Sequence, residues 1–284
     1  MAVRRPPPHV YFVVSAIFHY LGPAFAVLLF ARVDVLSVAW LRIASAALVF
    51  AVWRRPWRVW GESKALLLQW GVVLAVMNCC FYLAVDRLPL GTVAAIEFLP
   101  VIVLAALGAR TPRNAAALAL AVPGVYLLTG VRFEGEPLGV AFAFANAVLF
   151  AAYIVLADRV AKRSALSGID GLAASMLIAA AVVTPVAGWA AMLALGDPVA
   201  LAAGVGVGVS SSVIPYVTDQ LALARLARST YALMVSLLPA IATVIGVLVL
   251  TQIPSGWEVA GVGLVVGGVA LHRSSRRDIV AIDK

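Results

Sequence analysis

A run of about 20 apolar residues is long enough, at roughly 1.5 Å of helical rise each, to cross the roughly 30 Å hydrocarbon core of a bilayer. Along this chain such runs recur from one end to the other, at about 10–31, 36–53, 65–85, 90–108, 114–130, 138–157, 170–195, 200–224, 229–250 and 256–272. A backbone in hydrocarbon must satisfy its own hydrogen bonds, and segments of this length do so as helices. The expected fold is therefore an all-α polytopic membrane protein with ten transmembrane helices. Composition agrees, because 64% of the 284 residues are hydrophobic and only 12% charged, against about 25% charged in soluble domains. The mean hydropathy is +1.05. Ten spans leave room only for short loops and tails, so no nucleotide-hydrolysing domain is expected. The opening "MAVRRPPPHVYFVVSAIFHYLGPAF" has the basic flank of a signal peptide but no small-x-small cleavage site, and it reads as a first retained helix.

The net charge of +8 reports topology rather than a nucleic-acid partner. With the N-terminus inside, seventeen of the 21 Lys and Arg fall on cytoplasmic segments. These include Arg4 and Arg5, the Arg54 to Lys64 group, Arg110 and Arg113, the Arg159 to Arg163 group, Arg225 and Arg228, and the C-terminal tail. Only Arg32, Arg87 and Arg132 fall outside, and Arg42 lies within a span. By the positive-inside rule both termini are expected in the cytoplasm, with the bacterial inner membrane as the setting. The adjacent Cys79 and Cys80 offer neither a useful disulfide nor a metal site, and no cofactor is expected.

The chain also repeats itself. Shifting it by 138 residues places Leu83, Ala84, Arg87, Leu88, Thr92 and Ala94 on Leu221, Ala222, Arg225, Leu226, Thr230 and Ala232, and a one-residue slip brings Pro100 onto Pro239. That shift covers five spans. An odd number inverts the second copy, so residues 1–132 and 133–284 are expected to form two inverted five-helix repeats, the build of secondary transporters with a site at the repeat interface. Pro100 and Pro239 are then the candidate hinges.

Ionisable groups inside spans are expensive and face cavities or partners. Four qualify: His19, Arg42, Glu97 and Asp219. Arg42 and Glu97 fall at similar depth, roughly 10 Å from the outer surface at the helical rise of about 1.5 Å per residue, where they could meet as an ion pair or share a site. Softer polar and aromatic groups sit in the same zone. Asn78 and Tyr82 are one turn apart on the third span, Trp40 lies near Arg42, Asn146 and Tyr153 share a face of the sixth, and Ser211 and Tyr216 lie midway along the eighth. Together they would line an otherwise apolar cavity suited to a small amphiphile.

The segment "MNCCFYLAVDRLPLGTVAAIEF" resembles the M-N-x-x-F-Y-L, P-L-G and E-F pattern of the threonine/homoserine exporter branch of the drug/metabolite transporter superfamily, whose repeat is the EamA domain. The matching positions are Met77, Asn78, Phe81, Tyr82, Leu83, Pro89, Leu90, Gly91, Glu97 and Phe98. The span "LRIASAALVF" followed by "RPWR" is similar to the family's Arg-bearing second helix, and "SSVIPYVTDQLALARL" to its S-x-x-x-P-Y segment with an acid three residues on, which carries Pro215, Tyr216 and Asp219. The chain departs at Leu238, Gln252 and Phe150, where relatives place Glu, an acid and Trp; the YddG-type aromatic amino-acid exporters share the fold. The resemblance implies a monomeric, non-enzymatic secondary transporter that exports amino acids or related small metabolites by alternating access, the lipid bilayer being its other partner. Multidrug efflux is the alternative, weakened because the first span holds His19 rather than an acid. An intramembrane enzyme is disfavoured by the scatter of His9, His19 and His272 and by the lack of an H-E-x-x-H motif.

Overall fold

The computed structural model describes residues 7–59, 64–108, 111–133, 136–163, 168–223 and 237–271. Ten helices follow one another over those residues. They are α1 (Pro8–Leu29), α2 (Val35–Arg54), α3 (Lys64–Val85), α4 (Leu90–Gly108), α5 (Pro112–Phe133) and α6 (Pro137–Arg163). Next come α7 (Gly168–Val183, then a π-helical turn Thr184–Gly188, then Trp189–Leu195) and α8 (Pro198–Gly208, a π-helical turn Val209–Val213, then Ile214–Leu223). Finally come α9 (Leu238–Leu250) and α10 (Gly256–Leu271). No strand occurs among the described residues. Each expected span falls on a helix, the ninth from Leu238 onward; its beginning lies outside the described residues. Six of the helices are long and apolar enough to cross a bilayer on their described residues, and shorter apolar helices account for the α4, α9 and α10 segments.

The helix ends follow from side chains at the boundaries. Asp34 caps α2 by accepting from the Leu36 and Ser37 N–H groups at 3.0 and 3.2 Å, and Asp197 caps α8 from Val199 and Ala200 at 2.9 and 3.3 Å, with Pro198 set where a missing N–H costs nothing. Ser255 and Glu258 form a reciprocal capping box on α10. Arg55 ends α2 in the left-handed region at φ 51°. Across the short loops, Arg54 pairs with Asp170 of α7 at 2.7 Å.

Helices from the first half of the chain pack mainly on helices from the second. α1 lies against α8 and α9, α2 against α7 and α8, α3 against α6 and α7, α4 against α6, α9 and α10, and α5 along α10. Because hydrocarbon supplies no hydrophobic drive between helices, close backbone approach over small residues does this work. At the α5–α10 contact a Cβ on Gly124 would come within 2.8 Å of the Gly261 carbonyl, and one on Gly268 within 2.7 Å of the Ala117 carbonyl. Exposed apolar residues such as Val13, Ile17, Phe25, Leu48 and Val148 form the outer surface.

Two buried apolar clusters fill the interior. One joins Tyr20, Tyr82, the Leu90 to Ile96 stretch of α4, and residues of α5, α9 and α10. The other joins α2 from Ile43, α3 up to Met77, the end of α6 and α7. Arg42, Asn78 and Asn146 sit where these clusters meet, so the polar groups form a layer between two dry blocks.

Candidate functional site

Arg42 reaches this layer from α2 and is 7% exposed. A buried guanidinium in a membrane helix needs partners, and the π-turn of α8 supplies them. Its Nε donates to Ser212 Oγ at 3.1 Å and its Nη2 to the Ser211 carbonyl at 3.3 Å. A π-helical turn inserts a residue and throws backbone carbonyls out of the regular ladder, which makes that carbonyl available. Small residues permit the approach: a Cβ on Gly208 would press on the Arg42 carbonyl and Ser45, and one on Gly22 of α1 would collide with Ser211. The guanidinium also lies over the Tyr82 ring, 5.5 Å from its centroid.

Glu97, on α4, is 6% exposed and accepts a hydrogen bond from Asn146 Nδ2 of α6 at 3.1 Å. Of the alternatives for Glu97 and Arg42, the direct ion pair is not among those shown: neither of the ion pairs shown among the described residues joins them. The depth match is right, but each group is claimed by a different helix, Arg42 by α8 and Glu97 by α6. Among the described residues, three polar atoms of this neighbourhood are buried and find no hydrogen-bond partner: the hydroxyls of Tyr20 and Tyr82, and Asn146 Oδ1. Buried orphans of this kind cost free energy and ask for a ligand or water.

The remaining candidates divide. His19 stands edge-on to Tyr20, with ring centroids 5.2 Å apart. It lies about 180° around α1 from the outward-facing Val10, Ile17 and Leu28, at roughly 100° per residue, so it faces the interior of the bundle, where it is half-buried. On α6 the inward face runs from buried Asn146 to half-buried Phe150 and Tyr153, which stack with centroids 6.2 Å apart; Phe98 meets Phe150 and Trp70 meets Tyr153. Tyr216 is half-buried on the same side. The interior is thus closed toward the α3–α4 turn, where Leu90 to Phe98 are buried, and loosens on the other side of the polar layer.

Trp40 is held elsewhere: its indole Nε1 donates to Thr184 Oγ1 at 2.8 Å in the π-turn of α7. Asn78 donates back to the Leu74 carbonyl of its own helix at 2.8 Å. Ser211 donates its hydroxyl to the Val207 carbonyl at 2.6 Å and meets Arg42 through its backbone. Asp219 falls on the Ile214–Leu223 segment of α8, and its side chain lies outside the described residues. Pro100 lies inside α4 and Pro239 in the first turn of Leu238–Leu250. Sequence reasoning missed Tyr20 and Thr184. A tyrosine beside the span histidine, and a threonine before Pro185, were the available signals. Among the described residues no group of His, Cys, Asp and Glu is placed to hold a metal ion.

Known proteins place this arrangement in a family. The EamA-like transporter family matches residues 137–273. The chain is 30% identical over 243 residues to the threonine/homoserine exporter RhtA of Salmonella typhimurium strain LT2, covering 84% of this chain and 81% of that protein. It is 29% identical over 250 residues to RhtA of Escherichia coli strain K12, covering 86% and 84%. A crystal structure shares the fold with a TM-score of 0.58 and 21% identity, over 93% of this chain and 96% of the other. The chain belongs to the EamA-like transporter family of the drug/metabolite transporter superfamily, on the branch that holds those threonine/homoserine exporters.

Proposed function

We propose that the protein exports threonine, homoserine or closely similar amino acids across the bacterial inner membrane by alternating access, acting as a single chain with both termini in the cytoplasm. The observation that carries the reading is the polar layer itself. A buried carboxylate and a buried guanidinium, held apart on different helices, are accompanied by orphaned Tyr20 and Tyr82 hydroxyls and by Asn146 Oδ1. That set complements a zwitterion: Glu97, Asn146 Oδ1 and the Tyr20 hydroxyl take the ammonium group, while the Tyr82 hydroxyl and the uncommitted donors of the Arg42 fork take the carboxylate. The half-buried His19, Phe150, Tyr153 and Tyr216 form the approach from the side of the chain ends, and Asp219 would gate or bind near the inner mouth. Residues 1–132 and 133–284 act as inverted repeats that rock about the site, with Pro100 and Pro239 as hinges.

The names of the relatives support the substrate class. The test is counterflow: labelled threonine should accumulate in proteoliposomes preloaded with unlabelled threonine or homoserine, saturably, and less so in vesicles preloaded with phenylalanine. Accumulation with no amino acid in the panel, from folded protein, would end the substrate assignment.

A further inference from the structure

On the outer surface of the bundle a groove of about 450 Å³ runs between the end of α1 and the start of α8. The two helices touch where a Cβ on Gly22 would collide with Ser211, and the groove opens from that crossing toward Arg32 and Val199. Phe25, Leu28 and Arg32 line one wall at helical spacing, and Val199, Ala203 and Gly206 line the other. All six are exposed. Nothing lies within 4 Å of a Cβ added to Gly206, so the groove is open at its centre. Ser211 comes twelve residues after Val199, about 18 Å of helical rise, on the order of one leaflet of a hydrocarbon core roughly 30 Å thick. Arg32 follows the apolar span that ends at Leu29, which sets it at headgroup level. The groove therefore has the depth of one leaflet and a guanidinium at its rim.

We propose that this groove is a binding site for one anionic phospholipid, with an acyl chain lying between α1 and α8 and the phosphodiester on the Arg32 fork. A guanidinium matches two phosphate oxygens at once. The acids nearest in sequence do not oppose that contact: Asp34 and Asp197 are turned onto the N–H groups at the starts of α2 and α8 as caps. A zwitterionic lipid such as phosphatidylcholine carries its own cation beside the phosphate, which competes with Arg32 and favours the anionic headgroup. Size decides against a transmembrane helix as the occupant, because a helix about 10 Å across fills roughly 1,400 Å³ over about 18 Å, some three times the groove. An extended acyl chain is thin enough to enter. The site stands apart from the Glu97 layer and does not depend on what the protein transports.

The test is native mass spectrometry of the full chain released from nanodiscs of equal phosphatidylglycerol and phosphatidylcholine, with melting temperatures measured on the same preparations. Wild type should retain phosphatidylglycerol in preference. Arg32→Gln removes the fork from an exposed position and should weaken that retention about tenfold with phosphatidylcholine unchanged. Gly206→Leu fills the open centre of the groove and should lower retention of both lipids, while its melting temperature holds or rises because Leu favours helix over Gly. Arg87→Gln removes another exterior cation, one that lies against Asp86 and the Phe142 ring, and should retain lipid as wild type does. Retention unchanged in Arg32→Gln or in Gly206→Leu would overturn the site. So would an equal fall in Arg87→Gln, which would mark a diffuse effect of charge, or a second copy of the chain retained in place of lipid.

Discussion

Tyr20 and Tyr82 are fully buried, and among the described residues their hydroxyls have no hydrogen-bond partner. A structural tyrosine loses stability when its bonded hydroxyl is removed, whereas an orphaned one has no bond to lose. Tyr82→Phe is therefore expected to change unfolding stability by less than about 1 kcal/mol while weakening threonine binding about tenfold, measured by thermal melts and binding on the same preparation. Asn146→Leu should weaken binding too but differ in stability: it leaves the buried Glu97 carboxylate without its donor and should destabilise the fold by about 1.5–3 kcal/mol, read as a lowered melting temperature. Arg42→Lys keeps the charge but loses the fork that grips Ser212 and the Ser211 carbonyl, and exchange should fall despite conserved charge. Arg42, Glu97 and Asn146 were legible in the sequence because polar groups stand out in apolar runs. Their partners were not, since depth along a span gives height in the membrane but not the direction a side chain points. Arg42 and Glu97 share a level and bond to different helices. Tyr20 escaped notice because a tyrosine in an apolar span is ordinary.

Among the elements, the two π-turns are the parts that sequence patterning did not reveal. Both face α2, one receiving Trp40 through Thr184 and the other Arg42 through Ser211 and Ser212. Periodicity is insensitive to a one-residue insertion when every face of the helix is apolar. The spans, by contrast, were readable from the apolar runs themselves, and the structure adds why the helices start where they do: Asp34, Asp197 and the Ser255–Glu258 pair cap them. Glycine placement gives a sharp contrast within α10. Gly261→Leu should force α5 and α10 apart and cost about 1–3 kcal/mol, since even a Cβ there meets Leu128 and the Gly124 carbonyl. Gly263→Ala, with nothing within 4 Å of the added Cβ, should be neutral or stabilising. Thermal melts of the two variants in detergent check both expectations.

For the whole molecule, charge asymmetry and the five-span shift are the sequence features that bear on orientation. The helix order and the pairing of first-half helices with second-half helices are in the structure, whereas which face meets the cytoplasm is an expectation resting on the cationic loops. A membrane-impermeant maleimide should therefore label Asp86→Cys from outside intact cells, in a background lacking Cys79 and Cys80, and Thr111→Cys only after lysis. The opposite pattern would reverse the direction of transport. The central claim is that the Glu97 carboxylate handles the substrate. Its most direct test is the initial rate of threonine counterflow in Glu97→Gln beside wild type, at equal reconstituted amounts and matched melting temperatures. Loss of saturable exchange in a folded variant is the predicted result; exchange at the wild-type rate and saturation would contradict it.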